Sequence, residues 1–174
     1  WLLAGAGDFF EALLARNSSQ QKKASISIQT PHLYISGTAF DQRKKFIRNL
    51  HANGGPVIWL PNEMNEKWLQ TAAALMQSNQ KLLLAIDEST EDAATIRKRM
   101  AATARILIEQ TGVKEIFIEG GATAAAILKE MQISRLLPVE EWQRGVVRMM
   151  SGEYFFTLKP GSYPLPDELL RLYN

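Results

Sequence analysis

Short apolar runs alternate with longer amphipathic segments along most of this chain. Each run is partly β-branched or aromatic and too short for a buried helix, so these runs predict β-strands. The four runs are Leu33–Ile35, Val57–Leu60, Leu82–Ile86 and Glu115–Ile118.

The segments between these runs carry apolar residues at helical spacing. In the clearest one, successive apolar positions lie four, three and four residues apart, the period of an amphipathic helix. That face consists of Ile96, Met100, Thr103 and Leu107, and two weaker faces consist of Phe40, Ile47 and Leu50, and of Met64, Trp68, Ala72 and Leu75. The segment Ser89-Thr90-Glu91-Asp92 precedes the clearest helix; its hydroxyl residues are cap candidates, and its acids suit a positive helix N-terminus.

Strand and helix alternate four times, which favours a mostly parallel sheet covered by helices on both faces. The pattern then changes, because Val146–Met150 and Tyr154–Leu158 flank a Ser-Gly-Glu turn and are typical of a hairpin. We therefore predict a three-layer, Rossmann-like α/β fold. Its sheet is mixed and mostly parallel, with antiparallel strands near the C-terminus.

The first 24 residues differ from the rest. Phe9, Ala12 and Leu13 fall at helical spacing within residues 1–16, and residues 17–24 are polar without an apolar pattern. We interpret residues 1–24 as a helix and linker from a domain junction, and residues 25–174 as one domain. The chain starts with Trp1 rather than Met, so we expect it to be a piece of a larger protein.

Composition narrows the functional classes. Twenty basic residues against eighteen acidic ones give a net charge of +2, which does not indicate nucleic-acid or membrane binding. The chain has no cysteine, which removes disulfides and thiolate chemistry, and we expect no metal ligands. This composition fits a cytoplasmic protein.

Ligands of open α/β sheets bind at the carboxyl ends of the strands, and two loops there suit phosphate. Gly120 and Gly121, followed by Ala122 and Thr123, lie between a predicted strand and a helix over Ala125–Met131. Glycines let backbone amides approach an anion, and a helix N-terminus offers unpaired N–H groups. A Gly-Gly sequence also makes a simple tight turn, and the sequence leaves both interpretations open.

The second loop is Ser36, Gly37 and Thr38, which could cap a helix, bind phosphate, or do both. A third segment places Lys159 and Gly161 in a Lys-Pro-Gly turn, where the ammonium could reach a phosphate. No Walker A loop, dinucleotide fingerprint or protein-kinase catalytic loop is present.

These motifs, in this order, resemble the C-terminal nucleotide-binding domain of the four-carbon acid sugar kinase family. The matching segments are Leu3-Ala-Gly-Ala-Gly7, Tyr34-Ile-Ser-Gly-Thr38 with Gln42, Gly120-Gly-Ala-Thr-Ala124 and Leu158-Lys-Pro-Gly-Ser-Tyr-Pro164. Ala122 stands where the family has an acidic residue, and Pro160 and Pro164 replace small residues or glycine.

The resemblance implies ATP with Mg²⁺ as cofactor and phosphorylation of a sugar acid of the threonate or erythronate type. It assigns nucleotide contacts to nine residues: Ser36, Gly37, Thr38, Gly120, Gly121, Ala122, Thr123, Lys159 and Gly161. The acceptor site and catalytic base are expected in an N-terminal domain, which leaves the catalytic residues unknown. A homodimer is compatible with this interpretation. The alternatives are a non-catalytic domain with a degenerate nucleotide site, or an α/β domain that binds another phosphorylated metabolite.

Overall fold

The computed structural model describes residues 28–173. The helix predicted within residues 1–16 and the linker over residues 17–24 lie outside this range. Within it, no helix combines the length and the apolar character that a bilayer span requires.

Seven strands and five helices make up this part of the chain. The strands are β1 (His32–Ser36), β2 (Val57–Trp59), β3 (Lys81–Ala85), β4 (Glu115–Glu119), β5 (Leu137–Gln143), β6 (Val146–Ser151) and β7 (Tyr154–Lys159). The helices are α1 (Asp41–Ala52), α2 (Glu66–Asn79), α3 (Ala93–Thr111), α4 (Gly121–Glu130) and α5 (Asp167–Tyr173).

The strands form one mixed sheet in the order β2-β3-β1-β4-β7-β6-β5. β1 pairs in parallel with β3 and β4, β7 pairs in parallel with β4, and β6 is antiparallel to both of its neighbours. The predicted fold class is confirmed, including the hairpin near the C-terminus. Because β1, β4 and β7 are parallel neighbours, Ser36, Glu119 and Lys159 lie side by side at one edge of the sheet.

Two hydrophobic layers cover the sheet, one on each face. Ala72 and Met76 of α2, Met100 and Leu107 of α3, and Ile127 of α4 pack on one face. On the other face lie Ile47 of α1 with Leu169 and Tyr173 of α5. Burial of both faces explains why the central strands are continuous apolar runs rather than alternating ones.

Four local predictions were wrong. The helix predicted from Ala125 begins at Gly121, because Gly120, with φ of 107°, turns the chain directly from strand into helix. The cap of α3 is not Ser89 but Asp92, whose carboxylate accepts from the backbone N–H groups of Ala94 and Thr95. Phe40 precedes α1 and is 54% exposed, so it does not belong to the core face of that helix. Met64 likewise precedes α2 and its cap Asn65, so it does not belong to the face of α2.

The sequence patterns missed β5 and α5. β5 is an edge strand that contains Pro138 and buries only Trp142, so it lacks the apolar run on which strand prediction relied. α5 has seven residues, which is too short for its helical period to stand out.

Candidate functional site

The loop that contains Gly37 and the loop that contains Gly120 and Gly121 meet at the carboxyl ends of β1 and β4, and we call them the glycine loops. Gly37 N–H donates to the carbonyl of Glu119 at 3.0 Å. A Cβ atom at Gly37 would lie 1.9 Å from Oγ1 of Thr123, so only glycine fits between the two loops. Residues more than 80 positions apart in sequence therefore form one surface.

The N-terminus of α4 opens at this surface. No side chain caps it, whereas Asn65 caps α2 and Asp92 caps α3. A Cβ atom at Gly121 would have no neighbour within 4 Å, so the first turn borders open space. Uncapped N–H groups and the positive end of the helix dipole together make an anion-binding site.

A cleft of about 480 Å³ lies in front of this helix end. Lys44 of α1 and Arg97 of α3 line it and bring positive charge, while Ile86, Ile96 and Met100 give it an apolar wall. Its other lining residues are Gly37, Thr38, Ala39, Asp87, Glu88, Ser89, Ala93, Gly120, Gly121, Ala122 and Thr123. A cleft with a cationic, amide-rich part and an apolar part suits a ligand that combines phosphate with an aromatic ring.

Acidic side chains border the same cleft beyond β3. Asp87 and Glu88 both pair with Arg48, at 3.5 and 2.8 Å from its Nη2. Within residues 28–173, no group of three histidine or acidic side chains is arranged to hold a metal ion.

The structure brings six of the nine predicted contact residues into this cleft: Gly37, Thr38, Gly120, Gly121, Ala122 and Thr123. Ser36 instead lines a smaller neighbouring cavity, and its hydroxyl donates to Glu119. Gly161 packs behind the wall, since a Cβ atom there would lie 3.1 Å from Oγ1 of Thr38.

Lys159 was predicted to contact the nucleotide, but its side chain does not line the cleft. Its side chain is fully buried, and Nζ donates to Oε1 of Glu119 at 2.7 Å. Nζ also donates to the carbonyl of Pro160 at 2.7 Å and lies 3.4 Å from that of Gly161. Burial lowers the pKa of Lys159, although the nearby Glu119 carboxylate opposes this shift. The ammonium thus holds the turn that follows β7.

Glu119 is the centre of a buried polar cluster beneath the loops. Its carboxylate accepts from the hydroxyl of Tyr34 at 2.6 Å and from that of Ser36 at 3.1 Å. Nε of Arg43 lies 3.1 Å from both carboxylate oxygens, and Lys159 completes the set. We call Glu119, Arg43 and Lys159 the charged cluster. Burial raises the pKa of Tyr34 well above its usual value, and Glu119 adds to that shift.

Sequence reasoning missed Glu119, Lys44 and Arg97. An acid directly after the apolar run of β4 was a usable signal for Glu119, because a charge at a buried strand end needs a partner. Lys44 and Arg97 look like ordinary exposed helix residues in the sequence, and only the sheet order places them at one cleft.

Residues 14–163 match the model of a protein family described as the nucleotide-binding C-terminal domain. The chain belongs to this family. The resemblance drawn from the sequence is therefore confirmed at the level of a nucleotide-binding domain. No protein of curated function matches the sequence.

Solved structures with the same fold include two proteins of the DUF1537 type. A Bordetella bronchiseptica protein, solved with bound citrate as a domain-swapped dimer, has 19% identity and a TM-score of 0.62 over 84% of this chain and 41% of its own. A Haemophilus influenzae protein has 16% identity and a TM-score of 0.65 over 95% of this chain and 45% of its own. The chain thus spans less than half the length of these structures.

Proposed function

We propose that this domain binds ATP with Mg²⁺ in the cleft in front of α4, as the nucleotide-binding part of a kinase for a four-carbon sugar acid. The observation that carries the proposal is the meeting of Gly37 and Thr123 beside the uncapped N-terminus of α4. Backbone amides and a helix dipole bind phosphate without a dedicated side-chain set, which suits phosphoryl transfer by positioning.

Each part of the cleft matches a part of the nucleotide. The phosphates face the first turn of α4, where Lys44 and Arg97 add cationic charge. The base packs on the apolar wall of Ile86 and Ile96, where burial of its ring faces is favourable. With no acid at position 122, Mg²⁺ would be held mainly by the phosphates and by the several waters that it usually keeps.

The remaining parts of the proposal follow the family resemblance. The sugar acid of the threonate or erythronate type and the catalytic base would belong to an N-terminal domain outside these 174 residues. We also propose a cytoplasmic location, and a homodimer, which the domain-swapped dimer of the Bordetella protein makes reasonable.

Calorimetric titration of the chain with ATP and Mg²⁺ tests the nucleotide site, with Lys44→Met and Lys45→Met as a matched pair. Both substitutions remove one charge from α1, but only Lys44 lines the cleft. We expect Lys44→Met to weaken ATP binding roughly tenfold and Lys45→Met to leave it nearly unchanged. Equal effects of the two variants, or tighter binding of a sugar phosphate than of ATP, would contradict the proposal.

A further inference from the structure

The charged cluster beneath the loops contains two cations and one carboxylate. The side chains of Lys159 and Glu119 are 0% exposed and that of Arg43 is 14% exposed. Among residues 28–173, no second carboxylate forms an ion pair with either cation at these distances, and the other two partners of Glu119 are hydroxyl groups. Among the described residues, this cluster therefore carries one more positive than negative charge in a site nearly closed to water, which is unfavourable by itself.

This surplus charge lies directly behind the wall of the cleft. Gly120 N–H donates to the carbonyl of Lys159 at 2.9 Å, so the backbone of β7 contacts the loop that begins α4. The ammonium of Lys159 holds the carbonyls of Pro160 and Gly161, and Gly161 packs against Thr38 of the cleft wall. Gly161 and Thr38 lie between the cluster and the cleft, and a charge acts more strongly through protein than through water.

We propose that the charged cluster makes the site select nucleotides by the number of their phosphates. Lys159 is the positioning residue, because its ammonium holds the surplus positive charge behind the loops. A bound polyphosphate supplies the counter-charge that the cluster lacks, so affinity should rise from AMP to ADP to ATP more steeply than the loops alone would give. The proposal deepens the nucleotide site proposed above and rests on it.

A pH dependence follows from the same geometry. The groups that face Lys159 are Glu119 from β4 and Arg43 from α1, while Tyr34 from β1 shares the same carboxylate. Burial lowers the pKa of Lys159, so it loses its proton at a less alkaline pH than an exposed lysine. Tyr34 stays neutral in that range, because its pKa is raised well above its usual value. Bound phosphate favours protonated Lys159, and the preference for ATP over AMP should therefore fall as the pH rises.

The experiment compares AMP, ADP and ATP by calorimetry on the wild-type chain, Lys159→Met and Lys114→Met. Methionine keeps much of the length of lysine and removes its charge, and Lys114 provides the control because it is paired with Glu153 outside the cleft. For Lys159→Met we expect the ATP-to-AMP affinity ratio to fall roughly tenfold, and for Lys114→Met we expect it to stay constant. Equal weakening of all three nucleotides in Lys159→Met would show a merely structural role and overturn the proposal.

The pH profile needs no substitution at Lys159 and decides the matter even if that variant fails to fold. From neutral pH up to about pH 10, close to the usual pKa of an exposed lysine, the wild-type ATP-to-AMP ratio should decrease, because burial lowers the pKa of Lys159. A constant ratio would overturn the proposal while leaving the nucleotide site intact. If the wild-type chain binds none of the three nucleotides, the proposed function fails and this inference fails with it.

Discussion

At the scale of single residues, Gly37 and Gly121 play opposite parts although both lie in the glycine loops. Gly37 stands where the two loops touch, and a Cβ atom would overlap the side chain of Thr123. Gly121 faces open space in the first turn of α4. The same residue type thus serves close packing at one position and access to the cleft at the other.

This difference gives a stability prediction. Gly37→Ala should lower the free energy of unfolding by about 1–3 kcal/mol, because the loops must separate to admit the methyl group. Gly121→Ala should have little effect on it, since alanine is favoured over glycine within a helix and nothing lies nearby. Urea denaturation of both variants measures the difference. Similar stability losses in the two variants would show that the loops are not packed as described.

The sequence identified the residue types of the site better than their roles. Thr123 was assigned a nucleotide contact by the family resemblance, and its Oγ1 lies against Gly37 in the wall of the cleft. Lys159 was predicted to reach a phosphate, yet its ammonium is buried on Glu119. A sequence gives the charge of a side chain but not its partner, which here lies 40 positions away.

At the scale of secondary-structure elements, α3 was predicted correctly except for the residue that caps its N-terminus. The helix and its apolar face were predicted, but the cap is Asp92, three residues beyond the expected Ser89. Both residues are suitable caps by type. The helix begins at Ala93, so Asp92 occupies the cap position, and Ser89 instead donates to Glu91 at 3.2 Å.

We predict that Asp92→Ala lowers the melting temperature by roughly 2–4 °C, whereas Ser89→Ala changes it little. Hydrogen bonds from the hydroxyl of Thr95 and from the N–H groups of Thr95 and Ala94 lower the pKa of Asp92 below its usual 3.8. For a carboxyl whose pKa is lowered by folding, the stabilisation is complete above the usual pKa and is lost as the pH falls through the folded one.

Thermal unfolding of the wild type and both variants from neutral to acidic pH measures this. The difference in melting temperature between the wild type and Asp92→Ala should be constant near neutrality and should shrink as the pH falls below 3.8, the usual pKa of the carboxyl. A larger loss from Ser89→Ala than from Asp92→Ala would contradict the assigned cap.

Most elements could be predicted because each central strand is a buried apolar run and each long helix has an apolar face. Of the two elements that could not be predicted, β5 has no buried apolar run, since Leu137 and Val139 are exposed at the edge of the sheet, and α5 is too short for its helical period to stand out. Their positions depend on tertiary packing, which overrides weak local preferences.

At the scale of the whole molecule, the order of the strands creates the site. β1, β4 and β7 are far apart in sequence but adjacent in the sheet, so the loops after them meet at one edge. The alternation of strand and helix predicted a parallel sheet but contained no information on which strands are neighbours. The cleft, its cations and the charged cluster follow from that order, and for this reason only part of the site could be anticipated.

The acidic residues of the cleft lead to a prediction on activity. Within residues 28–173 the carboxylates that line the cleft are Asp87 and Glu88, and Arg48 pairs with both. Phosphoryl transfer also needs an acceptor hydroxyl held in line with the γ-phosphate, together with a residue that orients it. The family resemblance places both in an N-terminal domain, so the 174-residue chain should bind ATP without phosphorylating threonate. A coupled assay for ADP release, with threonate and erythronate present and absent, measures this. If this chain alone released ADP at a rate that depends on the sugar acid, the acceptor site would lie within it. The proposed assignment of that site to an N-terminal domain would then be wrong.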